Sequence, residues 1–241
     1  MTADERRLVV NADDFGLSPA INAGVIRAHT EGIVTSASLM VRAGAAAAAA
    51  AAAAEHPGLG LGLHFELAEW ACEDGEWRCL YEVVDATDPV AVAEELERQL
   101  AAFRSLCGRE PTHLDSHQHV HRTEPVRSVL GVRARQLRLP LRHHGHVRYC
   151  GAFYGHGRMG DPRPEAITAG ALVRLLAALP PGATELACHP ADAADASLAY
   201  GSERVVELEA LCHAAVREAV AAPGVRLCAF PEVRLAAMSC G

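Results

Sequence analysis

A chain of 241 residues, half of them hydrophobic, can build one sizeable α/β core without disulfides or a structural metal. Its net charge of -8 speaks against the broad basic surface that nucleic acids and anionic membranes require. The longest apolar run, Ala43 to Ala54, is nearly all alanine and shorter than the ~20 residues of a spanning helix, so no membrane span is expected.

The first residues, Met1 to Arg7, are charged and lead into a strand-like run with no signal-peptide core, so the protein is read as cytoplasmic. Leu8 to Ala12 reads as a buried strand. Ser18 caps a helix with Pro19 in its first turn, which runs to about Glu31 and stops at Gly32. Ile33 to Val41 is a second strand, the alanine-rich stretch to Glu55 a helix, and Gly60 to Phe65 a third strand whose glycines suggest close backbone or ligand approach. Ala68 to Thr87 has no clear period and reads as a loop. Pro89 to Leu106 is an amphipathic helix, Thr112 to His117 a strand, Glu124 to Arg135 a helix and Leu137 to Arg142 a short strand. His143 to Glu165 lacks periodicity and reads as a long loop, functional or mobile. Helices over Ala166 to Leu179 and Glu203 to Ala221, with strands over Thr184 to Cys188 and Val225 to Cys228, complete the chain. The eight cysteines are scattered, with no CxxC pair, and read as reduced, mostly buried thiols.

Alternating strands and helices imply a parallel sheet covered by helices. The expected fold is α/β, a single domain over residues 1–241 forming a distorted (β/α) TIM-like barrel of about seven strands. An open doubly wound sheet is the alternative. Both gather functional residues at the C-terminal ends of the strands.

Those ends carry the chemistry. The first strand ends in Asp13-Asp14, two carboxylates whose repulsion a cation would relieve, although a solvated loop or a helix cap also explains such a pair. The third strand ends in His64, which taken alone reads as structural. Four of the 13 histidines lie between His113 and His121. Period-2 alternation puts His113, Asp115 and His117 on one face, and a helical turn after His117 would bring His121 beside it. Clustered imidazoles and carboxylates at such spacings suit a metal. His189 follows the strand at Cys188.

The segments NADDFGLSPAIN, GIVTSASLM, GLHFEL, PTHLDSHQHVH, FYG and CHP resemble, in order, the motifs of the YdjC-like carbohydrate deacetylases. The resemblance runs from about Leu8 to Pro190. It implies a distorted (β/α) barrel that removes N-acetyl groups from amino sugars with one divalent metal ion, Zn2+ or Mg2+. By position in the motifs it implies that Asp14, His64 and His117 hold the metal and that Asp13 is the general base. It makes His189 the general acid and Arg142 the arginine that steadies Asp13 or the substrate. His121 matches a family position and is expected behind the ligands or facing substrate, and Asp115 is expected to orient a ligating imidazole. Two histidines and one carboxylate leave coordination positions open, as a catalytic ion needs, and this N,N,O set favours zinc on softness grounds. The sequence departs from the family in a short segment between His64 and Pro89 and in the histidine-rich run Arg142 to His146, which leaves the substrate open. The expected partner is an N-acetylated amino sugar or its conjugate, with no nucleic acid; homo-oligomerisation is undetermined by the sequence. Trp70 or Trp77 and Phe153-Tyr154 are candidates to stack on a sugar ring, and equally to be core or loop packing. A phosphoesterase on the same scaffold and a non-catalytic sugar-binding relative are the rival readings.

Overall fold

A computed structural model describes residues 5–73, 75–157 and 159–233. Met1–Asp4, on which part of the N-terminal reading rests, and Cys240 lie outside them. The chain runs β1 (Arg6–Phe15), α1 (Pro19–Thr30), β2 (Ser36–Leu39), α2 (Ala46–Glu55), β3 (Gly60–Phe65), β4 (Ala68–Glu73), β5 (Glu76–Glu82), α3 (Pro89–Cys107) and β6 (Leu114–Ser116). A 3-10 turn (His117–Arg122), α4 (Val126–Leu137), β7 (Arg148–Cys150), a second 3-10 turn (Pro164–Ile167) and α5 (Ala169–Ala177) follow. The chain then forms β8 (Gly182–Cys188), α6 (Glu203–Leu211), α7 (Ala214–Ala221) and β9 (Val225–Leu227).

Seven strands form one parallel sheet, with the path β6-β3-β2-β1-β8-β7 and β9 beside β1. β8 takes one edge of β1 over Arg6 to Ala12, so β9, on Arg6 to Leu8, and β2, on Asn11 to Phe15, must share the other. The sheet curls as a half-barrel. The distorted barrel of about seven strands is therefore borne out, in an open form: residues 142–147 link its two margins without strand pairing.

Local chemistry explains most elements. The Ser18 hydroxyl accepts from the Ile21 amide at 3.2 Å and caps α1; Asp88 caps α3 through the Val90 amide at 2.9 Å, and Gly108 closes that helix in the left-handed region. α2 buries Ala46, Ala49, Ala50 and Ala53, one stripe at helical spacing, as the expected outer helix does. α3 presents Val92, Leu96, Leu100 and Phe103 to the core, each side chain contributing roughly 1.5–3 kcal/mol by burial. At Gly62 of β3 what approaches is a side chain and not backbone or ligand: a Cβ there would stand 2.4 Å from the His113 ring.

Four expectations are corrected. Ala68 to Thr87 is no loop over most of its length, because β4 and β5 pair as an antiparallel hairpin whose outer residues are polar or exposed and so show no burial period. Leu137 to Arg142 is not a strand: α4 continues to Leu137, and only Leu141 bridges Leu114. The regular strand is β7, inside the stretch expected to be loop. The last long helix is two, α6 and α7, since the His213 ring accepts from the Ala215 amide and starts a new helix. The thiols are free among the described residues, but only Cys188 and Cys228 are buried.

Candidate active site

A regular strand would point Asp13 and Asp14 to opposite faces. β1 avoids this with a bulge: its register on β2 slips between Ala12 and Phe15, and Asp14 takes the left-handed conformation at φ 63°. An extra residue re-aims side chains, and such backbone in a non-glycine residue costs on the order of 1–3 kcal/mol. Both carboxylates consequently reach one cleft, and both are buried.

Around Asp14 stand His64, at the end of β3, and His117, just after β6. His64 Nε2 lies 3.3 Å and His117 Nδ1 3.1 Å from the same atom, Asp14 Oδ1. The other nitrogen of each ring meets a carboxylate. His64 Nδ1 is 2.7 Å from Asp115 Oδ1, a contact the β3–β6 register creates by pairing those two residues, and His117 Nε2 is 2.7 Å from Glu69 Oε2 on β4. Nitrogen of one ring and oxygen of a carboxylate, each ring backed by a second carboxylate, is the usual construction of a histidine metal site. Potential ligand atoms of Asp14, His64 and His117 all lie within 4.8 Å of one another.

Asp13 faces a different cation. Arg142 Nη1 donates to Asp13 Oδ2 at 2.6 Å and Nη2 to Oδ1 at 2.7 Å, a bidentate clasp, while Asn11 Nδ2 donates to Oδ1 at 2.8 Å. The same guanidinium touches Asp115 at 2.9 Å and donates from Nε to Glu185 Oε1 at 2.7 Å. A second carboxylate group of metal-binding shape, Asp13, His64 and Asp115, is thus bridged by an arginine. The register that pairs Ala12 with Cys188 carries His189 next to Asp13, with 3.9 Å between His189 Nε2 and Asp13 Oδ2.

Charge explains the titration behaviour. Burial raises the Asp13 carboxyl, and the Arg142 charge and hydrogen bond more than offset it, leaving it below the ordinary value. Burial likewise opposes the charge on Asp14, which Arg204, His117 and His64 hold well below the carboxylate range. Burial lowers His64, yet Asp115 and Asp14 push it up to about 10; His117 is pushed to about 9 by Asp14 and Glu69. Burial raises Glu185 to about 7 against the pull of Arg142. Four buried carboxylates, Asp13, Asp14, Asp115 and Glu185, face two buried guanidiniums, and in the metal-free chain the raised imidazoles of His64 and His117 supply the remaining positive charge. A divalent ion among Asp14, His64 and His117 would take over that charge as the two rings give up their protons.

The structure brings Asp13, Asp14, His64, His117, Arg142, His189 and Asp115 into one cluster. It does not bring in the remaining histidines. His113 stacks on Phe230 at 3.9 Å and bonds Ser38, and burial lowers it to about 4. His121 lies behind the cleft, where Nε2 holds the Arg142 carbonyl at 3.0 Å, because Gln118 and His119 turn left-handed and break the anticipated helical register. His143 packs on Tyr149, and His146 meets the Val233 carbonyl. Phe153 is core, Tyr154 lies against His189 with ring centres 5.2 Å apart, and Trp70 and Trp77 are exposed on the hairpin.

Four participants escaped the sequence reading. Arg204 Nη2 donates to Asp14 Oδ2 at 2.6 Å, which turns Oδ1 toward the imidazoles. Glu207 accepts from the His189 amide at 2.5 Å and from the Tyr200 hydroxyl. Both lie on the buried face of α6, in register with Leu208 and Leu211, so charged residues at apolar-face positions were the available signal. Glu69 and Glu185 carried none: one stands in a hairpin without periodicity and the other inside a strand. Buried His189 Nδ1 and Arg204 Nη1 have no hydrogen-bond partner among the described residues, although His189 Nδ1 lies 3.8 Å from Glu207 Oε1.

A profile of the YdjC-like protein family matches residues 7–222. A chitooligosaccharide deacetylase of Serratia marcescens is 35% identical over 255 residues, covering 95% of this chain and 100% of the relative. One of Salmonella heidelberg is 33% identical over 260 residues with the same coverage. Among solved structures, a proposed cellobiose-phosphate cleavage protein of Enterococcus faecalis V583 superposes with a TM-score of 0.76 at 25% identity, over 95% of this chain and 99% of that one. A family 4 acetyl xylan esterase of Clostridium thermocellum, solved with a cobalt ion, gives 0.54 at 11% identity over 95% and 91%, a likeness of fold alone.

Proposed function

Because the chain belongs to the YdjC-like family, we propose that it is a metal-dependent hydrolase that removes the acetyl group from an N-acetylated amino sugar or a short oligosaccharide of one. The observation that carries this reading is the division of labour between the two adjacent aspartates. Asp14 turns to two imidazoles, and Asp13 turns to an arginine and to His189.

A divalent ion held by Asp14, His64 and His117 would supply Lewis acidity to the acetyl carbonyl and to the attacking water. Asp13 takes the proton of that water. Arg142 keeps Asp13 ionised and fixes its plane, so the base is always in its working form at neutral pH. His189, across 3.9 Å from Asp13, donates a proton to the leaving amine of the sugar. Its ring is walled by Tyr154 and Tyr200, which narrow water's access on that side. Bond by bond, water oxygen joins the acetyl carbon, the amide C–N bond breaks, and acetate and a free amine leave.

The phosphoesterase alternative draws on more than one ion in its usual form. Here the second carboxylate group is bridged by Arg142, which supports a single-ion site. No helix among the described residues is long and apolar enough to cross a membrane, which accords with a substrate met in water. The test is a comparison of acetate release from N-acetylated sugars with phosphate release from phosphomonoesters by the zinc-loaded chain, with bound zinc counted by elemental analysis. Acetate release at about one ion per chain supports the deacetylase, and phosphate release with two or more ions replaces it.

A further inference from the structure

The two imidazoles that face Asp14 are backed differently. Asp115, behind His64, stands on β6 within the main sheet and is itself held by Ser38 at 2.6 Å and by Arg142. Glu69, behind His117, stands on β4, which pairs only with β5 in a separate two-stranded sheet. A two-stranded hairpin alone is marginal in water, so this one depends on its seat.

The seat consists of a few contacts. Gln118, next to His117, clasps the hairpin through the Trp70 amide at 3.0 Å and the Trp70 carbonyl at 2.7 Å, and it also donates to Glu69 Oε1 at 3.1 Å. The Tyr81 hydroxyl donates to Glu66, and the Cys72 thiol meets the Met159 carbonyl at 3.4 Å. Trp70, Trp77 and Leu80 of the hairpin are exposed. Among the described residues these contacts tie the hairpin to the cleft.

Resting on the metal reading above, we propose that Glu69 is a positioning residue that ties the grip of His117 on the ion to the seating of the β4–β5 hairpin. By accepting from Nε2, Glu69 fixes the tautomer whose Nδ1 lone pair faces Asp14 Oδ1 and the ion, and it sets the plane of the ring. The coupling is reciprocal: an ion that draws His117 into place seats the hairpin, and a seated hairpin strengthens the hold on the ion. Partly exposed, Glu69 links the β4–β5 hairpin to the residues that would hold the ion.

Zinc titration of the full chain against a competing chelator, combined with hydrogen exchange over residues 68–82, tests this. Zinc is expected to slow exchange across the hairpin in the wild type. Glu69→Ala is expected to bind zinc about 10–100-fold more weakly, the range for loss of such an outer partner, and to lose the zinc-dependent protection. Glu69→Gln, which keeps an acceptor oxygen, should recover most of the affinity. Zinc affinity of Glu69→Ala within about twofold of wild type, or hairpin exchange in the wild type unchanged by zinc, overturns the inference and leaves the metal site standing. A wild-type chain that binds no zinc overturns the metal reading itself.

Discussion

Replacing Arg142 by methionine tests the electrostatic frame of the site. The side chain keeps its approximate length and loses its charge, leaving Asp13, Asp115 and Glu185 without their shared guanidinium at 2.6 to 2.9 Å. Removing one partner of a buried ion pair costs about 3–5 kcal/mol. The variant protein can reduce that cost by protonating a carboxyl, and the limit follows from the titration scale. Neutralising one carboxyl with an ordinary value near 4 costs about 4 kcal/mol at pH 7 and about 1.4 kcal/mol at pH 5, at ~1.36 kcal/mol per unit. The sign is consistent in both proteins. In the variant, carboxyls raised by burial lose stability as pH rises. In the wild type, Asp13 and Asp115 are lowered, so their contribution is present above the ordinary value and fades as pH falls through it. Urea unfolding of both chains with chelator present should therefore give a difference of about 4 kcal/mol at pH 7, shrinking to about 1–2 kcal/mol at pH 5. A difference under about 1 kcal/mol at pH 7, or one that does not change between the two pH values, would refute the reasoning.

Two further outcomes follow from the same geometry. Asp13→Asn keeps the shape but cannot take a proton, so turnover should drop about 10²–10⁴-fold while zinc affinity stays close to wild type; turnover within tenfold of wild type removes Asp13 from the role of base. In the metal-free chain His64 and His117 are raised to about 10 and about 9, so their stabilisation is complete below about 6.5, the ordinary imidazole value, and is lost as pH climbs through 9 to 10. Chelated protein should melt several degrees lower at pH 10 than at pH 7, a drop that bound zinc removes because the ligands are then already deprotonated, and a flat metal-free profile contradicts this.

The sequence made the strand-end residues legible because a parallel sheet sends all its C-terminal ends to one side. Asp13, Asp14, His64, His117 and His189 could be grouped without knowing a single distance, and Asp115 followed from alternation. What alternation could not supply was the bulge at Asp14, since a left-handed aspartate has no pattern in the chain. The same limit hid the turn at Gln118 and His119, so His121 lies behind the cleft, one of its two expected places, and not one helical turn beyond His117. Arg142 was assigned by resemblance and its local strand was wrong, yet the single bridge from Leu141 to Leu114 delivers its side chain to Asp13 all the same. Arg204 and Glu207 were missed because a charged residue on a helix is ordinarily read as solvated, whereas here burial on α6 makes each a partner of a residue far away in the chain.

The most direct measurement follows acetate and free amine together during incubation of an N-acetylglucosamine oligosaccharide with the full-length chain, first chelated and then reloaded with zinc. The account predicts equal release of both products, abolished by chelation and restored by the ion. Zinc-loaded protein that releases neither product from any N-acetylated sugar, or that performs equally well after chelation, would contradict it.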